Sequence, residues 1–169
     1  MAKVDYLEGD WFLLPLRDGL SACGIVARAA PKRRIAIGFF YLAPLDATAS
    51  SLDLERFRPK EAALIARFGD LGLVDGSWTI LGRARSWSRN AWPNPLFCRE
   101  SPLDGSVSVV EYPNGDPAGT PRVRPGTREE CAQLPRDGLY GSIAIQDTLE
   151  AVRAGAKTQR ASRPTRSDA

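Results

Sequence analysis

The first apolar runs of the chain are short and are separated by turn residues. The run at 11–16 ends near Pro15, which lacks a backbone donor and therefore marks a strand edge or a bulge. The Arg-Asp-Gly sequence at 17–19 is typical of a tight turn, and residues 20–29 form a second, weaker apolar run. The pattern predicts a β-hairpin, in which Gly24 indicates a bulge or a close approach by another segment.

Residues 35–42 alternate with the period of two that is typical of a β-strand. The large side chains Ile35, Ile37, Phe39 and Tyr41 occupy one set of alternate positions, and Ala36 and Gly38 belong to the other set. Together with the hairpin, this run predicts a meander of three strands joined by short turns. We therefore expect a mainly β (α+β) fold, built on either a curled antiparallel sheet or an SH3-like barrel.

The rest of the chain adds further short strands and two short helices. A helix is predicted over 59–68, because a proline suits its first turn and Gly69 can end it. A second helix is predicted over 142–154, with Ser142 as its cap and Gly155 at its end. Further strands are predicted at 78–84, 96–98, 106–112 and 121–124.

Charge is unevenly distributed along the chain. The 169 residues carry a formal net charge of +3, but residues 151–169 hold five basic residues against one acid. The preceding part is therefore close to neutral, which argues against a dedicated nucleic-acid binder. The final segment is rich in Arg, Ser, Thr and Ala, a composition typical of disordered chain. We predict one β-rich domain over residues 1–155 and a disordered basic tail over 156–169.

The side-chain chemistry of the chain is narrow, because it contains no histidine. Histidine-dependent nucleophilic catalysis and the common metal triads are thereby excluded. The cysteines Cys23, Cys98 and Cys131 are odd in number, widely spaced and without a CxxC motif, which predicts separate thiols rather than a disulfide or a zinc site. We therefore expect no enzyme, with no catalytic residue, no cofactor and no metal.

The apolar runs also bear on the compartment. The first ten residues carry several acids, unlike a secretory signal. The most apolar stretch, at 35–45, is about half as long as the roughly 20 residues that a membrane-spanning helix needs. We expect a cytoplasmic protein that does not contact a membrane, and nothing in the pattern points to a particular oligomeric state.

Basic and aromatic residues interleave at Arg83, Arg85, Trp87, Arg89 and Trp92. Three interpretations stay open for this stretch. The tryptophans can fill the core while the arginines are solvated, or both residue types can form a protein interface, where Trp and Arg are enriched. The same alternation can also hold single-stranded nucleic acid through stacking and phosphate contacts.

Two blocks of the sequence resemble one known family. The stretch GDWFLLPLRDGLSACGIVARA at 9–29 is similar to the opening of the immunity protein 26 family of bacterial polymorphic toxin systems, and GDLGLVDGSWTILGRARSWSRNAWPNPLF at 69–97 resembles the family's second block. The resemblance covers roughly residues 9–100, with an extension through 138–146. The matching positions are Asp10, Phe12, Pro15, Leu16, Gly19, Gly24, Val26, Gly72, Trp78, Gly82, Trp87, Trp92, Pro93, Pro95 and Phe97.

The resemblance implies a cytoplasmic, mainly β antitoxin that binds and neutralises a cognate toxin, often a nuclease, without catalysis. Its motif residues are mostly Gly, Pro and apolar types, which determine a fold rather than a partner. The alternative is an SH3-like nucleic-acid-binding module that uses the loop at 83–92. For a basic nuclease, complementary charge favours acids as contacts. The expected partner contacts are Asp46, Asp53, Glu55, Asp70 and Asp75, together with Arg85, Trp87, Arg89 and Trp92.

Overall fold

A computed structural model of the chain describes residues 5–44, 48 and 50–161, with side chains as far as Gly155. The strands are β1 (Asp10–Pro15), β2 (Ser21–Ala30), β3 (Ile35–Leu42), β4 (Leu64–Gly69), β5 (Thr79–Arg83), β6 (Leu96–Glu100), β7 (Val107–Glu111), β8 (Arg122–Pro125) and β9 (Leu139–Tyr140). The helices are α1 (Leu71–Val74), α2 (Arg128–Ala132) and α3 (Ser142–Ala161). One sheet has the order β5-β1-β2-β3-β4-β9 and the other β6-β7-β8. The mainly β class is confirmed, and β5 to β8 fall where strands were predicted.

The opening stretch forms the predicted hairpin. Strands β1 and β2 pair antiparallel, and the turn between them contains Gly19 with a φ of 69°. Gly24 marks a close approach, because a Cβ atom there would lie 2.5 Å from Cζ of Phe12. The register shift of β2 lies further along, between Val26 and Arg28 in its pairing with β3. A glycine in the middle of this strand therefore makes room for an aromatic ring.

The six-stranded sheet is covered on both faces around β3. Phe40 packs against Phe68, with ring centroids 5.4 Å apart, on the face that α3 covers with Ile145. Phe39 packs against Trp92 at 5.4 Å on the opposite face. Because both faces of β3 are buried, apolar residues occupy both sets of alternate positions in it. The strands described form no closed barrel, since β5 and β9 are the two ends of the sheet, so the SH3-like barrel was wrong. The sheet is antiparallel as predicted except at one edge, where β4 and β9 are parallel.

The helix predicted over 59–68 was wrong. A single 3₁₀ turn spans Pro59–Glu61, and the chain then enters β4, which pairs with β3 and with β9. Ala66 and Phe68 are both fully buried on one face of β4. The run of apolar residues fits either periodicity over so short a length, and pairing with two neighbouring strands decides for the strand.

The second predicted helix exists but extends past its predicted end. It begins at Ser142, where the N–H of Ile145 donates to the carbonyl of Gly141 at 3.1 Å, and it continues through Gly155 to Ala161. Residues 156–161 of the predicted tail therefore have a helical backbone, and 162–169 lie outside the described residues. None of the helices in the described part is long and apolar enough to span a membrane.

The prediction of three separate thiols was wrong for two of the cysteines. Cys98 on β6 and Cys131 on α2 form a disulfide, with their Cα atoms 5.3 Å apart. Helix α2 packs across the three-stranded sheet, and this contact brings together two residues that are 33 positions apart. Cys23 is a free, buried thiol, and burial raises its pKa to about 12.

Candidate aromatic binding cleft

A cleft of about 420 Å³ opens between the loop at 54–59 and the loop at 84–92. The first loop follows β3 and the second follows β5, and both lie on the same face of the six-stranded sheet. We call this site the aromatic cleft, after the four aromatic residues that line it: Trp11, Phe57, Trp87 and Trp92. The floor comes from the sheet itself, since Trp11 and Ile25 are each 1% exposed.

The aromatic side chains of the cleft pack against one another. The Trp11 ring lies 5.1 Å from the Phe57 ring and 5.7 Å from the Trp92 ring, the latter in an edge-on arrangement. Trp92 is 7% exposed and belongs to the core. Trp87 is half-buried, so the two tryptophans predicted as partner contacts differ in their exposure.

Trp87 lies close over the start of β1. A Cβ atom on Gly9 would lie 2.7 Å from Cδ2 and Cε2 of Trp87, and Gly9 has a φ of 93°. Both observations require a glycine at this position. The first glycine of the opening stretch therefore supports one wall of the aromatic cleft.

The carboxylate of Glu55 connects the two loops. Its Oε1 atom accepts hydrogen bonds from the backbone N–H of Arg85 at 2.7 Å and of Ser86 at 3.3 Å. Hydrogen bonding from the Ser86 side chain, and then from these N–H groups, lowers the pKa of Glu55 below its ordinary value of 4.5. Asp53 is engaged in the same way, since its Oδ1 accepts from the N–H of Glu55 at 3.1 Å. The two acids thus hold the loops in place.

Arg28 holds the other end of the second loop. Its side chain is 5% exposed and donates to the carbonyl of Trp92 at 2.9 Å. Burial, with a contribution from nearby Arg89, lowers the pKa of Arg28. Arg89 in turn forms an ion pair with Glu8 at 2.8 Å. The loop that carries Trp87 is therefore tied to β2 and to the residues before β1.

The remaining acids predicted as contacts lie elsewhere. Asp70 is 2% exposed and accepts from the Tyr6 hydroxyl at 2.8 Å and from Nε of Arg34 at 2.6 Å, so its carboxylate is not available at the surface. Asp75 is exposed at the end of α1 and does not line the aromatic cleft. Asp46 lies outside the described residues. Glu55, Trp87 and Trp92 line the cleft, with Asp53, Arg85 and Arg89 beside them on the same two loops.

Sequence reasoning missed Trp11, Leu54, Phe57 and Arg58 as parts of this site. The segment around 44–58 has a mixed, loop-like composition, so it carried no prediction of a function. One local signal was present, because Phe57 is a lone aromatic residue between two arginines in a polar stretch. Trp11 gave no such signal, since it reads as an ordinary strand residue.

Residues of the two sequence blocks that resemble the family pack against each other inside the fold. Phe12 from the first block stacks on Trp78 from the second, with centroids 5.3 Å apart and an angle of 9°. A Cβ on Gly72 would lie 2.6 Å from Cδ2 of Trp78, so this glycine also accommodates a ring. The family model of immunity protein 26 matches residues 7–108. The chain belongs to the immunity protein 26 family. No curated protein and no solved structure matches it at a significant level.

The family match includes both loops of the aromatic cleft. It ends within β7, so β8, α2 and α3 lie beyond it. The disulfide joins the two parts, because Cys98 lies inside the matched residues and Cys131 outside them. The aromatic cleft is therefore a feature of the part that this chain shares with other immunity proteins of the family.

Proposed function

We propose that this immunity protein neutralises a cognate toxin of a bacterial polymorphic toxin system in the cytoplasm. It acts by stoichiometric binding and performs no catalysis. The observation that carries the proposal is the match to the immunity protein 26 family over residues 7–108. Tight complexes of this kind depend on a few well-packed anchors, which are enriched in Trp, Tyr and Arg.

We propose the aromatic cleft and its surroundings as the toxin-binding surface. Support comes from its composition, with aromatic and apolar walls and charged residues at its mouth. Its loops are held by Glu55 and Arg28, so little order has to be gained on binding. The predicted contacts that lie here with exposed or half-buried side chains are Asp53, Glu55, Arg85, Trp87 and Arg89.

The arrangement of the same residues does not favour the nucleic-acid alternative. A stacking platform needs several aromatic faces open to successive bases, whereas Trp92 is 7% exposed and Trp87 is half-buried. Arg89 is neutralised by its ion pair with Glu8. Titration with a single-stranded oligonucleotide at low salt is expected to leave the tryptophan fluorescence unchanged.

Co-expression with the toxin domain encoded in the neighbouring reading frame tests the proposal. We expect cells to survive toxin induction when the full chain is present, and we expect a complex of defined stoichiometry on size-exclusion chromatography with light scattering. The toxin alone and an unrelated immunity protein serve as controls. Unprotected cells together with the absence of a complex would overturn the proposed function.

A further inference from the structure

The charged side chains at the mouth of the aromatic cleft differ in whether they already have a partner within the chain. The carboxylates of Glu55 and Asp53 already accept backbone N–H groups. Arg58 donates to the carbonyl of Glu55 at 2.6 Å, and neither Arg58 nor Arg85 forms an ion pair within the described part of the chain. Both side chains are exposed. Residues 53–59 and 83–92 together carry five arginines against two acids, so the net charge around the cleft is positive.

The walls of the cleft require an apolar group at the same place. Phe57, Trp87 and Leu54 line it, and its volume of about 420 Å³ has room for large side chains. An occupant that fits must therefore combine an apolar side chain with negative charge. An extended acidic peptide segment with an aromatic or aliphatic residue has this combination.

We propose that the aromatic cleft binds an acidic, extended segment of the toxin. An apolar side chain of the segment packs against Trp87 and Phe57, and a carboxylate pairs with Arg58 and Arg85. This inference rests on the proposed function and names the part of the toxin that this surface recognises. It assigns recognition to the arginines of the cleft and a supporting role to Glu55 and Asp53.

Charge reversal at the mouth of the cleft tests the inference. The dissociation constant for a catalytically inactivated form of the neighbouring toxin domain is measured by calorimetry for the wild type, Arg85→Glu and Arg85→Gln. Arg122→Glu on β8 is the matched control, because Arg122 is exposed like Arg85 but lies outside both loops of the cleft. We expect Arg85→Glu to raise the dissociation constant at least about 10-fold, because it places two like charges opposite each other in the interface. Arg85→Gln only removes the attraction and should have a smaller effect. Arg122→Glu should change the dissociation constant less than about twofold. Near-UV circular dichroism verifies that each variant is folded.

Each outcome separates this inference from the function on which it rests. If the wild type binds and Arg85→Glu binds within twofold of it, the proposed function stands and the acidic segment is overturned. If Arg85→Glu binds more tightly, the cleft faces a basic segment and the inference is again overturned. If the wild type does not bind the toxin domain at all, the proposed function fails, and the inference fails with it.

Discussion

The contact between Gly72 and Trp78 provides a sharp test of how the family motif supports the fold. Gly72 lies in α1, and a Cβ on it would lie 2.6 Å from Cδ2 and 2.7 Å from Cε2 of Trp78. These atoms belong to the fused edge of the indole and cannot rotate away alone. The ring itself is 2% exposed and stacks on Phe12. Gly72→Ala therefore has to displace a packed ring.

The expected cost follows from two opposing effects. Overpacking of a filled core lowers the free energy of unfolding by about 1–3 kcal/mol. Alanine recovers up to about 1 kcal/mol over glycine in a helix interior, but less near the end of the four-residue α1. We expect a net loss of about 1–2 kcal/mol. For a chain of this size, each kcal/mol shifts the Tm by about 2–4 °C, so the Tm should fall by about 2–8 °C.

Gly155→Ala is the matched control for this substitution. Gly155 lies within α3, and a Cβ there would meet nothing within 4 Å. We expect this variant to gain up to about 1 kcal/mol from the helical preference of alanine. Both variants are compared with the wild type by thermal and urea unfolding monitored by circular dichroism. A Gly72→Ala variant as stable as Gly155→Ala would refute the steric role of Gly72.

Three further predictions concern the cysteines and Glu55. Without reductant, a thiol-specific dye should label no cysteine of the folded chain and one cysteine, Cys23, of the denatured chain. Denaturation together with reduction should make all three cysteines reactive. Three reactive thiols in the denatured chain without reductant would contradict the disulfide. Cleavage of the disulfide, by reduction or by Cys131→Ser, should lower the free energy of unfolding by roughly 3–4 kcal/mol, the value expected for closing a loop of this length, and denaturant melts of both forms measure it. The pKa of Glu55 is lowered in the folded chain, so the stabilisation by its charge is present above pH 4.5 and is lost as the pH falls below that value. The Tm difference between wild type and Glu55→Gln should therefore be largest near pH 7 and shrink towards pH 3, and a difference independent of pH would count against the interaction.

The parts of the fold that could be predicted from sequence are those determined locally. The hairpin at the start was predictable because the turn at 17–19 and the apolar runs on either side are contiguous. Gly24 was correctly assigned to either a bulge or a close approach, but only the packing of Phe12 on it decides between them. The strand β4 was mistaken for a helix because its partners β3 and β9 are distant in sequence. The disulfide was missed for the same reason, since α2 and β6 meet only through tertiary packing.

In the candidate site, too, the residues marked by a local pattern could be predicted and the contacts between distant segments could not. Arg85 and Trp87 were singled out by their interleaved pattern, and Glu55 by its charge. Glu55 accepts a hydrogen bond from the backbone of Arg85 and so stabilises the loop that carries it. This contact joins two loops 30 residues apart, so it could not be predicted from a local pattern. The contribution of Trp11 depends on the sheet, because a strand residue becomes the floor of a cleft only when loops rise on both sides of it. Composition alone carries no such information.

Hydrogen exchange on the full chain, with and without the inactivated toxin domain, tests the central proposal most directly. Binding at the aromatic cleft predicts slower exchange of the backbone amides at 54–59 and 84–92 in the complex, with little change in β8. Slower exchange confined to β8 and α2, with both cleft loops unchanged in a formed complex, would contradict the assignment of the toxin-binding surface.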